Sequence, residues 1–598
     1  LADARTSAMM RPQQIALQGS LEDRARVDGS LIFRDWRLRT ADKALDVAGG
    51  GRVFSLEQPQ AEFALRARCN LEKALQALDL RPPCKLSGMV EGEAQIRGAL
   101  HAPQIQASAK AADIVIDNGA RLRRLVAPRA EGAFTFNWDP RSGDVTQVKI
   151  PSASLRTADW QLQLSGQAER LRYRHPTADG GGAAVLDFGK GMACNYLLSG
   201  KRTFLPWLVP ELSPLAGGAP DTPESLTSRG IIRAKEIPLS ATAEGDFRLM
   251  RSLQVQNGLT LLDHLQAGRL GLKGLSLPYE LAGGVFAIND GRADCGGPVL
   301  FNASVDFNHM LPAGAADLCA DGLDLAAILG RLAPDTEIVA GRAYLPAGGK
   351  GGRFVHATWQ GADLNSILDT LKIPALTLLA RGLAVKTVTR PFDWEEVLKY
   401  DFHQSVAREI AQQLAAMEAE NAGKPRTYHL RELEATGSVD KRCLTLNPCL
   451  ITGDDTADAR CVGRVFFDRR LQLRLWPTDN LDRHFDAAAM AANPTVKEFL
   501  DTLPPARRSD ALRLVPEWLN GLARGKKLYV DVKGTLDNPV FDPRGVRDGV
   551  KQALTPLVTR AVELMGQSSI VTEILGKDAL KNAGKNGKPL IDLDDILK

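Results

Sequence analysis

The residues most able to do chemistry are scattered along this chain. Eight histidines stand at His101, His175, His264, His309, His356, His403, His429 and His484, and no two share a metal-ligand spacing. The acidic pairs Asp454-Asp455 and Glu395-Glu396 read as a turn and the start of a helix before they read as a general acid and base. No Gly-x-Ser-x-Gly elbow, His-Glu-x-x-His helix or Gly-x4-Gly-Lys-Ser/Thr loop occurs. Gly268, Gly271 and Gly274 sit in an alternating strand context, so they mark bends rather than a phosphate cradle. The cysteines (Cys69, Cys84, Cys194, Cys295, Cys319, Cys443, Cys449, Cys461) contain no Cys-x-x-Cys. In an oxidising compartment Cys69–Cys84, or two of Cys443, Cys449 and Cys461, could pair; scattered buried thiols are the alternative. The expectation is a protein without catalytic residues, metal site or cofactor.

Bulk numbers narrow the class further. With 44% hydrophobic residues in 598, the chain can bury a substantial apolar surface. Lys+Arg 75 against Asp+Glu 71 leaves +4 with no basic stripe interleaved with aromatics, which argues against nucleic acid. The stretch from Leu364 to Val385 is interrupted by Asp369, Lys372, Pro374 and Arg381, too polar for a bilayer span. The chain opens Leu1-Ala2-Asp3 with no leader pattern, and is read as a piece whose targeting segment lies elsewhere.

The elements expected to position these residues are mostly strands. Period-two alternation runs through Leu31–Arg39, Phe134–Trp138, Trp160–Gly166, Leu270–Leu275 and Leu471–Trp476, placing apolar side chains on one face and polar ones on the other. Turns are expected at Asn137–Gly143 and at Asn289-Asp290-Gly291, giving antiparallel meanders. One phrase recurs: Arg97-Gly98-Ala99-Leu100-His101-Ala102-Pro103 returns as Lys533-Gly534-Thr535-Leu536-Asp537-Asn538-Pro539, with a partial copy at Gly19-Ser20-Leu21. Such recurrence suggests extension by repetition. Short helices are expected at Leu71–Leu80 and Asp363–Leu371. Longer amphipathic ones are expected at about 393–421, 495–523 and 543–565, followed by a Lys-rich tail. Flexible points are read at 174–183, 212–229 and 347–352. The resulting organisation is a β-rich repeat region at 1–228 and a second at 229–390. A helical insert at 391–424, a β region with helices at 425–540 and a helix with its tail at 541–598 complete it.

On these residues the chain resembles the AsmA-like family of bacterial envelope proteins (the AsmA, TamB and YhdP group). The likeness rests on Asn70-Leu71-Glu72-Lys73, Leu86 to Gly98 and the Pro103 turn. It continues in Gly437-Ser438-Val439, Gly463 to Asp468, Leu471-Gln472-Leu473, and Val530 to the Gly534-Thr535-Leu536-Asp537-Asn538-Pro539 turn. Pro278-Tyr279-Glu280-Leu281 with Val285 to Gly291 is similar more loosely. The resemblance touches about half the chain; the family's N-terminal membrane anchor is not found, and the 393–421 helix is longer than the family pattern leads one to expect. It implies an elongated, curled antiparallel β-sheet, a taco-like trough. It also implies tethering to the inner membrane by a segment outside this chain, location in the periplasm, and passage of phospholipid toward the outer membrane.

The residue chemistry suits that expectation. An acyl methylene in water costs about 0.8 kcal/mol, so a chain of ~14 costs roughly 11 kcal/mol unless sheltered. An alternating apolar face can shelter it while Arg34, Arg37, Gln161 and Gln163 stay in solvent. Trp36, Phe134, Phe136, Trp138, Leu162, Leu164, Leu473 and Leu475 are the candidate lining residues. The same alternation would also suit a β-sandwich core. A scaffold assisting outer-membrane protein assembly or envelope integrity is the non-transport alternative, with exposed strand edges accepting a partner strand. A glycan-binding surface repeat is a third, discouraged by 6% aromatic content.

Overall fold

A computed structural model of the chain describes residues 15–23, 30–40, 44–77, 85–117, 125–174, 185–202, 224–238, 247–267, 270–333, 336–346, 354–388, 424–454, 458–478 and 529–542, apart from single positions within them and a few isolated residues beyond. The helices expected at 393–421, 495–523 and 543–565 lie outside the described residues but for isolated positions. The Lys-rich tail, the 347–352 segment and Cys84 also lie outside. The described chain is mainly β and antiparallel, with few helices, as the alternation leads one to expect.

Two compact units divide it: residues 1–295, 299–317 and 358–367, and residues 296–298, 318–357 and 368–598. The first unit holds β1 (Ile15–Asp23), β2 (Leu31–Thr40), β3 (Leu45–Phe54), β4 (Gln60–Asn70), β5 (Lys85–Ala99), β6 (Gln104–Asp117) and β7 (Leu125–Trp138). It continues with β8 (Val145–Arg156), β9 (Trp160–Arg174), β10 (Val185–Gly200), β11 (Leu226–Pro238), β12 (Leu253–Ala267), β13 (Leu270–Ala282) and β14 (Val285–Asp294). Each of these strands pairs antiparallel with the next. β11 runs without interruption through the boundary drawn at 228. β15 (Pro298–Asp306) and β16 (Ala313–Asp324) follow. The second unit carries β17 (Arg331–Ala333) and β18 (Thr336–Leu345), then, after β19 (Val355–Gln360), β20 (Lys372–Val388), β21 (Pro425–Asp440) and β22 (Cys443–Gly453). It ends with β23 (Ala459–Phe466), β24 (Leu471–Pro477), β25 (Val530–Thr535) and β26 (Asn538–Asp542). From β20 to β26 each strand again pairs antiparallel with its successor.

Local chemistry explains the joints. The recurring Gly-x-Leu phrase is a hairpin in both places, and Gly98 and Gly534 take left-handed φ of 101° and 84°, which a side chain would resist. Asn70 opens α1 (Leu71–Ala77) by accepting the Lys73 N–H at 3.1 Å, a side-chain cap on an otherwise orphan donor. α2 (Arg248–Ser252) precedes β12. Asp324 caps α3 (Leu325–Ile328) by accepting from Ala326 and Ala327, and Asp363 accepts from Ser366 N–H before α4 (Leu364–Thr370). The turn expected at Asn289-Asp290-Gly291 is instead inside β14. There Asp290 adopts φ 57° as a bulge and its N–H donates to Asn302 Oδ1, while the actual reversal falls at Gly283-Gly284. Asn, Asp and Gly tolerate left-handed backbone in bulges as well as turns, so composition alone does not separate the two.

Register in the first unit is written on its polar face. Arg39, Asp46, Arg68, Glu91, Lys110 and Glu131 stand directly opposite one another from β2 to β7, alternating in sign at every step. Arg39 meets Asp46 at 3.0 Å and Arg68 meets Glu91 at 3.2 Å; the adjacent Arg66–Glu93 and Arg52–Glu62 pairs lie at 3.2 and 2.9 Å. A slip of one residue would turn every one of these charges toward the apolar side.

Candidate functional site

The opposite face of the same strands is where the candidate lining residues go. Bulges decide the assignment. Asp35 (φ 47°) inserts an extra residue in β2, so Phe33 and Trp36 share a face despite their odd spacing. Strand by strand from β2, Trp36, Gly49, Leu65, Ala94, Ala107 and Phe134 stand opposite one another. A parallel row runs Phe33, Gly51, Phe63, Ile96, Ile105, Phe136, with the Phe33 and Phe63 ring centroids 5.5 Å apart. A third spans β3 to β13: Leu45, Cys69, Val90, Ala111, Ala130, Leu155, Leu162, Leu198, Ser228, Thr260, Leu277. Beside it lie Val47, Ala67, Gly92, Ala109, Gly132, Ala153, Leu164, Tyr196 and Gly230.

None of these positions carries a charge. Trp36, Phe134, Phe136, Leu162 and Leu164 are brought onto this face and are half-buried. Trp138 is on it too, opposite Val145, but at a strand end and 40% exposed. Along one margin the face is closed by Trp160, Leu226, Leu262 and Leu275, all buried, while the middle rows stay partly accessible apart from Ser228. A sandwich core would bury the middle first. The many Ala and Gly positions on the face leave depth that larger side chains would fill.

One polar interruption stands on this apolar face. Tyr196 lies over Gly230 and Tyr279 over Gly258: a Cβ on Gly230 would be 2.9 Å from the Tyr196 hydroxyl, and one on Gly258 2.6 Å from the Tyr279 ring. The two phenol oxygens hydrogen-bond to each other between the strands. Tyr279 is also 3.0 Å from Ser228 Oγ, which accepts from Thr260 at 2.9 Å. Burial, then the Tyr279 hydrogen bond, pushes the Tyr196 phenol well above its ordinary pKa. It therefore remains a neutral donor at physiological pH. Neither tyrosine is marked by periodicity, because the cluster exists only once four strands are in register. Gly230 and Gly258, which make room for the rings, give no local signal either.

The second unit places Leu473 and Leu475 differently. Leu378, Ala435, Cys449, Cys461, Leu475 and Val530 form one row from β20 to β25, and Leu446, Gly463, Leu473 and Val532 the next. Ala435, Cys449 and Cys461 are buried to 5–7% exposure, with Leu473 and Leu475 packed against them. Cys449 and Cys461 face each other as free thiols. Burial raises both pKa values, that of Cys461 to about 11.

The measurable depressions open on the charged side of the first unit. One of about 870 Å³ lies over β8–β12, a second of about 800 Å³ over β2–β7 and a third of about 650 Å³ over β6–β10. Their Lys, Arg, Glu and Gln walls do not suit an acyl chain. Among the described residues no group of three His, Cys, Asp or Glu is placed to hold a metal ion, and no helix is long and apolar enough to cross a membrane. No family model, curated protein or solved structure matches the chain.

Proposed function

We propose that the chain is an AsmA-like envelope protein, held at the inner membrane and lying in the periplasm, that shelters phospholipid acyl chains on the apolar face of its first unit during transfer between membranes. The observation that carries this reading is the uncharged row from Leu45 to Leu277, whose members stay partly accessible except Ser228. At about 4.8 Å per strand it extends roughly 48 Å across the sheet. One leaflet of a bilayer is about 15 Å of hydrocarbon, so an acyl chain finds cover along the whole of its length. At ~0.8 kcal/mol per methylene, cover of that kind offsets most of the cost of leaving a membrane. No charge fixes a headgroup on the face, so a lipid can move along it. The short hydroxyl cluster at Tyr196 and Tyr279 supplies the neutral donors that an ester carbonyl can use.

The test is native mass spectrometry with lipid extraction on the chain purified from a bacterial envelope without detergent, alongside the double variant Leu162→Asp/Leu164→Asp. Several phospholipids per chain, lost in a variant with the parent's circular dichroism and nearly its Tm, are the expected result. A folded parent that carries no lipid and takes none from vesicles overturns the reading.

A further inference from the structure

The polar face of the first unit is not uniform. From β2 to β7 its charges neutralise one another in the alternating ladder. On β9 the arginines are also matched: Arg170 with Asp187 at 2.8 Å, Arg172 with Asp144 at 3.4 Å, and Arg174 with Glu236. The cations around the 870 Å³ depression are instead gathered on one recess. Among the described residues Lys149, Arg233, Lys235 and Arg251 have no acidic partner, and the one acid in the wall, Glu169, is already held by the Lys190 ammonium at 3.3 Å and its N–H at 2.8 Å. Four cations without a carboxylate partner among the described residues thus surround one hollow, Arg251 donating instead to the Phe307 carbonyl at 2.7 Å.

The floor of that hollow is small. Lys149, Gln167, Ala193, Arg233 and Gln254 stand opposite one another from β8 to β12, so the methyl of Ala193 sits between two long polar walls. Gly191, at φ 133° beside a register shift, lowers the floor again. Lys149 and Arg233 are three strand spacings apart, about 14 Å, with side chains long enough to close on one bound group. Gln147, Gln167 and Gln254 add neutral donors. The volume falls within the roughly 300–1,000 Å³ of small-ligand sites. A recess suits a discrete ligand better than a flat bilayer.

We propose that this recess is a binding site for a compact ligand bearing two or more phosphate groups, free or on the headgroup of a lipid. Arg233 takes one phosphate through its planar fork, and Lys149 and Lys235 act as point charges on the second. The site lies on the side of the sheet opposite the apolar rows and does not depend on the lipid-transfer reading.

The experiment is calorimetric titration of the whole chain with inositol hexakisphosphate and with pyrophosphate in about 0.15 M salt, where long-range charge effects are screened beyond ~8 Å. Co-sedimentation with phosphatidylglycerol/phosphatidylcholine vesicles runs in parallel. Saturable binding of either soluble probe, weakened roughly tenfold or more by Arg233→Ala/Lys235→Ala and by Ala193→Glu, is the expected outcome and assigns a free ligand. Binding confined to vesicles and lost in the same variants supports the site and places the phosphates on a lipid. The control is Arg66→Ala, on the matched part of the same face. Equal losses in the control and the groove variants, no loss in the groove variants, or no binding by any probe overturns the proposal. The variants lie on an exposed face, and unchanged circular dichroism keeps a folding defect from being mistaken for lost binding.

Discussion

Leu162 and Leu164 of the first unit and Leu473 and Leu475 of the second share one sequence pattern, leucine alternating with glutamine or another polar residue. Their surroundings differ. The first pair belongs to rows of Ala, Gly and Leu that remain accessible across many strands, whereas the second packs on a buried knot of Ala435, Cys449 and Cys461. Alternation therefore reports which side of a strand is apolar, and it is silent on whether anything covers that side. The sharpest way to break the comparison is to place the same charges in both units. Leu473→Asp/Leu475→Asp puts carboxylates against a buried cluster with no partner, and should destabilise the second unit by on the order of 3 kcal/mol or more. Leu162→Asp/Leu164→Asp leaves its carboxylates wet and should move the thermal transition little. Equal loss of Tm in the two variants would mean the first face is a closed core after all.

The next largest effect separates the two faces by what their glycines do. A Cβ on Gly258 would meet the Tyr279 carbonyl oxygen and ring at 2.6 Å, so Gly258→Ala must shift backbone as well as side chain. A loss of about 1–3 kcal/mol is expected, the range for overpacking a filled site. Tyr279→Phe removes only the hydroxyl contacts and should cost about 1 kcal/mol. If Gly258→Ala proves neutral in chemical denaturation, the tyrosine pair is not seated as described.

Thiol chemistry gives a third, smaller contrast. Cys69 and Cys194 lie on the accessible face of the first unit and are half-buried, while Cys449 and Cys461 are buried. Alkylation requires the thiolate, so a raised pKa delays it. Burial raises the Cys69 and Cys194 thiols too, but both stay half-buried, and iodoacetamide should label them ahead of Cys461. Labelling of Cys461 should keep rising until the pH nears about 11, against 9.0 for an unperturbed thiol. Peptide mapping that finds Cys461 labelled as fast as Cys194 at pH 8 would contradict the packing of that cluster.

Much of this architecture was legible before the structure. Residue alternation located β2, β7, β9, β13 and β24, and the recurring Gly-x-Leu phrase located two hairpins. It placed Trp36, Phe134, Phe136, Leu162 and Leu164 on apolar sides because side chains in a strand have a period of two. Bulges lie beyond that logic. One extra residue at Asp35 or Asp290 inverts the parity of everything after it, and Asp is equally at home in a turn, which is why Asn289–Gly291 reads as a reversal. The Tyr196–Tyr279 cluster and the unmatched cations over Ala193 draw residues from strands far apart in sequence. No window along the chain contains them; only cross-strand register does.

The smallest expected effect lies on the polar face, in the contrast between the ladder from β2 to β7 and the unmatched cations from β8 to β12. Arg68 and Glu91 are more than 60% exposed, so their pair falls in the ~0–1 kcal/mol range of surface ion pairs. Its value is register. Arg68→Glu sets a like charge opposite Glu91 and Asp46 and should lower Tm slightly; adding Glu91→Arg should restore part of the loss, and the restored part should shrink in 1 M salt. The pH dependence has a defined sign. Hydrogen bonds from Arg37 and then Arg39 hold the Asp46 carboxyl far below its ordinary range, and a hydrogen bond from Arg474 lowers that of Asp531 in the second unit. A depressed folded pKa contributes stability that is fully present above the unfolded value of about 4 and is lost as pH falls through the folded one. Asp46→Asn should therefore lower stability slightly at neutral pH, where the carboxylate contributes in full, and flatten the acid limb below about pH 4, the two profiles converging at low pH. An Asp46→Asn chain as acid-sensitive as the parent would remove Asp46 from the ladder and leave its register to the apolar rows alone.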